Sequence, residues 1–181
     1  MGEIIWLERE DINTAIKSSG RIAAKREWLD GGEDDDTKQW SNIITGFLGE
    51  LGYTKFREQE DQQKYSMPNF GVLEVYELSH GPDVVSTKDG VKSVESEVPW
   101  TDSWVFQWGD QRPDPALIGK SQCDRFAFCK IHRKDGRIGV EVRAIVPAKL
   151  IPEIVSDPMY GKYSGDKKCV YYKDIPKEYR L

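Results

Sequence analysis

Cysteine and histidine are scarce in this chain. Cys123, Cys129 and Cys169 stand without a CxxC pairing, and His80 and His132 are the whole histidine complement. So thin a set of ligands argues against a structural zinc site, and the odd cysteine count argues against a disulfide framework. Reduced thiols in a cytoplasmic setting are therefore expected. Long apolar runs are missing too, since no stretch nears the roughly 18 residues that span a bilayer. The opening MGEIIWLERED has no basic segment ahead of an apolar one, so neither a secretory leader nor a membrane partner is expected. GxGxxG and the P-loop pattern do not occur, and neither do GxSxG, HExxH or the kinase motifs. The common phosphate-cradling loops and several familiar hydrolase centres are thereby set aside.

An excess of positive charge is also lacking. The net charge of −5 argues against a sequence-blind nucleic-acid binder held by charge alone. The distribution is uneven, however. Residues 1–113 carry 12 Lys and Arg against 22 Asp and Glu, whereas residues 114–181 carry 14 against 9. An acidic half beside a basic half suits a carboxylate site next to a phosphate-facing surface, although clustering on solvated faces gives the same count.

A length of 181 residues fits one domain able to bury a core. Residues 8–29 read as a charged helix whose Lys17, Arg21 and Lys25 share a face. A second helix is predicted over 37–51, where Trp40, Ile43, Ile44, Phe47, Leu48 and Leu51 follow helical spacing and Gly52 is a natural stop. Glu50 falls on the shoulder of that apolar stripe. From residue 70 the pattern turns to strands, at 71–79, 83–87 and 91–98, the last two joined by a turn at Asp89-Gly90. A tract rich in Trp, Gly and Pro follows. Strands at 125–132 and 138–146 then flank a second Asp-Gly turn, Asp135-Gly136. Residues 147–155 read as a short helix limited by Pro152, and 169–175 as a last strand. Helices around a run of strands predict an α/β or α+β fold with one sheet covered by helices.

Alternation along 91–98 puts Ser93, Glu95 and Glu97 on one strand face, the two glutamate α-carbons about 7 Å apart. A tight turn would bring Asp83 alongside. Converging carboxylates repel and hold protons unless a cation joins them, and hard oxygen ligands suit Mg²⁺ or Mn²⁺. The plain alternative is a solvated strand face, its glutamates paired with Lys92 or Arg143.

Pro82-Asp83 followed by Glu95-Ser96-Glu97, after a helix bearing Glu50, resembles the PD-(D/E)xK nuclease superfamily in its E-x-E form. The resemblance covers roughly residues 37–150 of a single domain spanning 1–181, with the helix at 8–29 and the tail at 151–181 as additions. It implies a restriction-endonuclease-like mixed sheet flanked by helices, and a Mg²⁺- or Mn²⁺-dependent endonuclease hydrolysing DNA phosphodiesters. Asp83, Glu95, the Ser96 backbone carbonyl and Glu50 are the implied metal ligands, and Glu97, standing where the family usually has lysine, the implied general base. Lys120 is a candidate for a displaced lysine. Arg112, Lys120, Arg125 and Lys130 are the expected nucleic-acid contacts, and a homodimer is the corollary of cutting both strands. Trp100, Trp104, Phe106 and Trp108 read as cover over a sheet edge ahead of base stacking, and His80 as loop polarity ahead of a proton shuttle. The glutamate at the lysine position keeps a second function open: a catalytically inactive nuclease fold serving as a subunit in a nucleic-acid-processing complex.

Overall fold

In the computed structural model, residues 2–30, 36–65, 83–84, 87–95, 102–107, 113–159 and 167–181 are described, apart from the side chains of 21–30, 36–40 and Gln107. The fold is α+β. One sheet has the strand order β1-β5-β4-β2, formed by Ile4–Trp6 (β1), Asp89–Val94 (β2), Arg125–Lys134 (β4) and Arg137–Pro147 (β5). It is mixed: β2 and β4 are parallel, and the other pairs are antiparallel. A second, antiparallel sheet joins Ser103–Gln107 (β3), Val155–Ser156 (β6) and Lys167–Tyr171 (β7) in the order β3-β7-β6. Two helices, Arg9–Asp30 (α1) and Asp36–Asp61 (α2), precede β2, and a single turn, Ile151–Ile154 (α3), precedes β6. No helix among the described residues is long and apolar enough to cross a membrane.

The first sheet is buried on both faces. Along β4, Ala127, Cys129 and Ile131 meet Phe47, Leu48 and Tyr53 of α2 in one apolar cluster. Phe126 and Phe128 meet Trp104, Phe106 and Val170 of the second sheet in another. On β5 the facing switches midway, since Val140 and Val142 join the helical cluster and Ala144 and Val146 the other. The register shift opposite Phe128 and Cys129 explains this, because one extra residue in a strand reverses the alternation beyond it. Trp104 donates its indole N–H to the Cys129 carbonyl at that irregularity, 2.9 Å away. Trp104 and Phe106 are thus core residues, in keeping with their reading as cover, while Trp100 and Trp108 lie outside the described residues.

Four expectations are corrected. The first sheet is not covered by helices alone, because the Trp-rich tract supplies β3 of a second sheet across its other face. Gly52 does not stop α2, which runs on to Asp61. A Cβ at Gly52 would lie 2.3 Å from that of Val140, and one at Gly49 would lie 1.6 Å from Ser93 Oγ. Both glycines let the helix backbone sit close on the sheet. Asp89-Gly90 is not a turn but the start of β2, the chain reversing at Thr87 and Lys88, where Lys88 has φ 51°. Gly90 is pressed beneath the Phe126 ring, and Asp89 is buried among partners that hold it in place. The expected strand at 83–87 reduces, in its described part, to one bridge between Val84 and Asp89.

Other elements follow expectation. Asp135 and Gly136, at φ 51° and 70°, make the two-residue reversal between β4 and β5. Residues 148–154 form a 3₁₀ turn and then α3, with Pro152 in its first turn. The last strand comes slightly early, as β7, and 172–174 continue as a 3₁₀ turn. The strand expected at 71–79 lies outside the described residues.

Candidate carboxylate site

The geometry of α2 brings Glu50 to the edge of the first sheet. Close packing at Gly49 and Gly52 draws the intervening turn down onto β2 and β5, so the Glu50 carboxyl enters the interior instead of hanging over solvent. Its Oε2 is sealed from water and has no hydrogen-bond partner among the described residues. Burial raises the Glu50 pKa well above the usual carboxylate range, and the nearby charge of Asp83 raises it further.

Asp83 comes to the same place from the other side. Its backbone is tied to β2 by its own N–H donating to the Asp89 carbonyl at 2.9 Å. Its carboxylate accepts from the Val91 N–H on the open edge of the strand. Burial lifts its pKa from 3.8 to about 6, against the opposing influence of the Val91 N–H and Lys92; the charge of Asp114 adds to the rise. Lys92, on the opposite face of β2 from Ser93, points toward the second sheet. Its Nζ lies 3.1 Å from Asp114 Oδ2 and 4.5 Å from the centre of the Phe106 ring. Asp114 in turn caps a short 3₁₀ turn, accepting from the Ala116 N–H at 3.0 Å. Glu50 and Asp83 thus form a half-buried acidic pair whose neighbouring cation is engaged elsewhere.

The remaining expected site residues go separate ways. Glu95 is exposed and ion-paired with Arg133 of β4, Arg133 Nε at 2.6 Å from one oxygen and Nη2 at 3.1 Å from the other. Ser96 and Glu97 lie outside the described residues, as do Arg112 and His80. Among the described residues no three His, Cys, Asp or Glu side chains gather as a metal cluster. Two expected nucleic-acid contacts are committed internally. Lys130 is buried, its Nζ donating to Asp102 at 2.8 Å, because its position on β4 turns it toward the second sheet. Arg125 clasps Asp89 with two bonds of 2.9 Å. Lys120 is exposed beside the left-handed Gly119.

Sequence reasoning missed Lys92 and Asp114 as neighbours of Asp83. Asp114 carried a signal, standing before Pro115 as an N-cap stands before a first-turn proline. Lys92 carried less, because alternation places it away from the glutamates. Cys123, Cys129 and Cys169 are buried and unbridged. No protein-family model, curated protein or solved structure matches the chain.

Proposed function

We propose that the chain is a metal-dependent endonuclease that hydrolyses DNA phosphodiester bonds on a restriction-endonuclease-like core. The observation that carries this reading is the sealed Glu50 Oε2, without a hydrogen-bond partner among the described residues, in the electrostatic reach of the Asp83 carboxyl, whose pKa is raised. Two hard oxygen donors held together, their neighbouring Lys92 committed to Asp114, fit a divalent ion such as Mg²⁺ or Mn²⁺. When bound, such an ion supplies charge for a scissile phosphoryl oxygen and acidifies a water.

The chain's own residues do the rest. The Val91 N–H fixes the orientation of Asp83, and α2 delivers Glu50. Lys92, steadied by Asp114 and the Phe106 ring, stands in the electrostatic neighbourhood of Asp83, as a nuclease lysine is expected to. Glu95 joins the acidic pair only by giving up Arg133, so Asp83 and Glu50 are the proposed metal ligands. Glu97 keeps the proposed role of proton acceptor, the Ser96 carbonyl that of a further ligand, and Lys120 that of an outer phosphate contact. A homodimer in a cytoplasmic setting, with its thiols reduced, completes the reading.

The internal pairing of Lys130 and Arg125 favours a second reading, a non-catalytic subunit of a nucleic-acid-processing complex. One experiment separates the two: incubate supercoiled and linear DNA with Mg²⁺ or Mn²⁺, and titrate each metal calorimetrically. The nuclease reading expects cleavage by the wild type and loss of both cleavage and metal binding in Asp83→Asn and Glu50→Gln. Intact DNA with metal binding preserved would leave the subunit reading in its place.

A further inference from the structure

A cavity of about 750 Å³ opens at the C-terminal end of β2. Its size suits a small-molecule ligand. Ser41 of α2, Ser93 and Glu95 on and just past β2, Ser103 of β3, Arg133 of β4 and Lys167 of β7 contribute to its wall. Hydroxyls and cations thus converge from both layers of the fold on one space. Ser93 Oγ is out of contact with solvent and has no hydrogen-bond partner among the described residues. It lies against α2 at Gly49, so the groups that face the open space are those of Ser41, Ser103 and Arg133.

The Glu95–Arg133 pair stands in that wall. Its two bonds are parallel, fork to carboxylate, the geometry by which arginine also takes a phosphate. Both side chains reach solvent, at 37% and 50% exposure, so water competes for the pair and it holds weakly. A carboxylate satisfies the fork with both of its oxygens and has no oxygens left over for the surrounding hydroxyls. A tetrahedral phosphoryl group has them.

We infer that this cavity binds a small phosphate-bearing molecule, with Glu95 as the displaceable internal counter-anion of Arg133. The inference is independent of the Glu50–Asp83 pair, because it requires neither metal nor hydrolysis.

The test is calorimetric titration of the full chain, with a chelator present, by pyrophosphate, a nucleoside monophosphate and a short single-stranded oligonucleotide. Wild type should bind pyrophosphate or the mononucleotide saturably. Glu95→Gln should tighten that binding about fivefold by releasing the fork. Arg133→Ala should weaken it about tenfold or more, and Arg133→Lys, which keeps the charge and loses the fork, should fall between. Circular dichroism confirms that each variant is folded. Absence of saturable binding by wild type and Glu95→Gln, or binding indifferent to Arg133→Ala, overturns the site. A clear preference for the oligonucleotide overturns the assignment to a small molecule. The chelator keeps either failure separate from the outcome of the cleavage test.

Discussion

Asp83 and Asp89 are held together backbone to backbone at one reversal of the chain, the first half-buried and the second fully buried, yet their surroundings are opposite. Asp89 accepts from the Tyr53 hydroxyl at 2.7 Å, from the Thr87 hydroxyl at 2.8 Å and from both arms of Arg125. Asp83 has one backbone N–H, a lysine committed to Asp114, and another carboxyl beside it. A buried carboxylate with a cation and hydroxyls is a fastening. One faced by its own kind is a store of unfavourable energy, which a protein keeps where a ligand or reaction uses it. The fold thus separates a fastened acid from a poorly compensated one across a single turn.

The largest effect should come from breaking the fastening. Asp89→Ala strands the Tyr53 hydroxyl, which is itself buried, and releases Arg125 from its only charged partner among the described residues. Removing one member of a buried pair costs about 3–5 kcal/mol, and the partial exposure of Arg125 puts the expectation near the lower end. Urea unfolding at neutral pH measures it. A loss below about 1 kcal/mol would mean that Asp89 is no fastening and that the contrast with Asp83 fails.

Amide substitution at the other acid should act in the opposite direction. Asp83 titrates near 3.8 when unfolded and near 6 when folded, so between these values the native state binds more protons than the unfolded state. The contribution of Asp83 to stability is then most favourable below pH 4, falls as pH rises toward 6, and levels off above it, a loss of about 2–3 kcal/mol. Burial of Glu50 adds a contribution of the same sign. Asp83→Asn keeps an oxygen for the Val91 N–H and removes the charge. It should therefore be more stable than wild type by about 2 kcal/mol at pH 7.5 and nearly equal to it at pH 4. Unfolding measured at both values tests the sign. A variant less stable at pH 7.5 would show that Asp83 is a fastening after all.

This division was only partly legible in the sequence. Helical spacing over residues 40–51 and the second Asp-Gly pair located α2 and the β4–β5 hairpin, because those signals are local. The acidic pair was half legible. Asp83 and Glu50 stood out as carboxylates in a suggestive order, but spacing along β2 recruited Glu95, which the structure turns onto Arg133. That pairing depends on a parallel neighbour far along the chain, and alternation within one strand says nothing about it. Asp89 was misread for the same reason. Asp-Gly is a turn signal until a tyrosine from α2 and an arginine from β4 arrive to bury it. The second sheet escaped because β3 and β7 pair only across a long separation and each is short.

The smallest of these effects sharpens the comparison most directly, because it moves an acid without altering either carboxyl. Gly49 lets α2 rest on β2, and a methyl there would stand 2.7 Å from Ser93 Cβ as well as against its Oγ. The hydroxyl can rotate away, but the β-carbon cannot, so Gly49→Ala must lift this part of the helix. Better helix propensity returns a little under 1 kcal/mol, while overpacking costs about 1–3 kcal/mol, leaving a net loss of up to about 2 kcal/mol. Lifting α2 also draws Glu50 away from Asp83 and lets water in. The variant should therefore lose part of the stability decline between pH 4 and pH 6, whereas a purely structural clash would shift the whole curve down and leave its slope unchanged. Unfolding free energies at several pH values distinguish the two, and an unchanged slope would mean that Glu50 and Asp83 do not act as a pair.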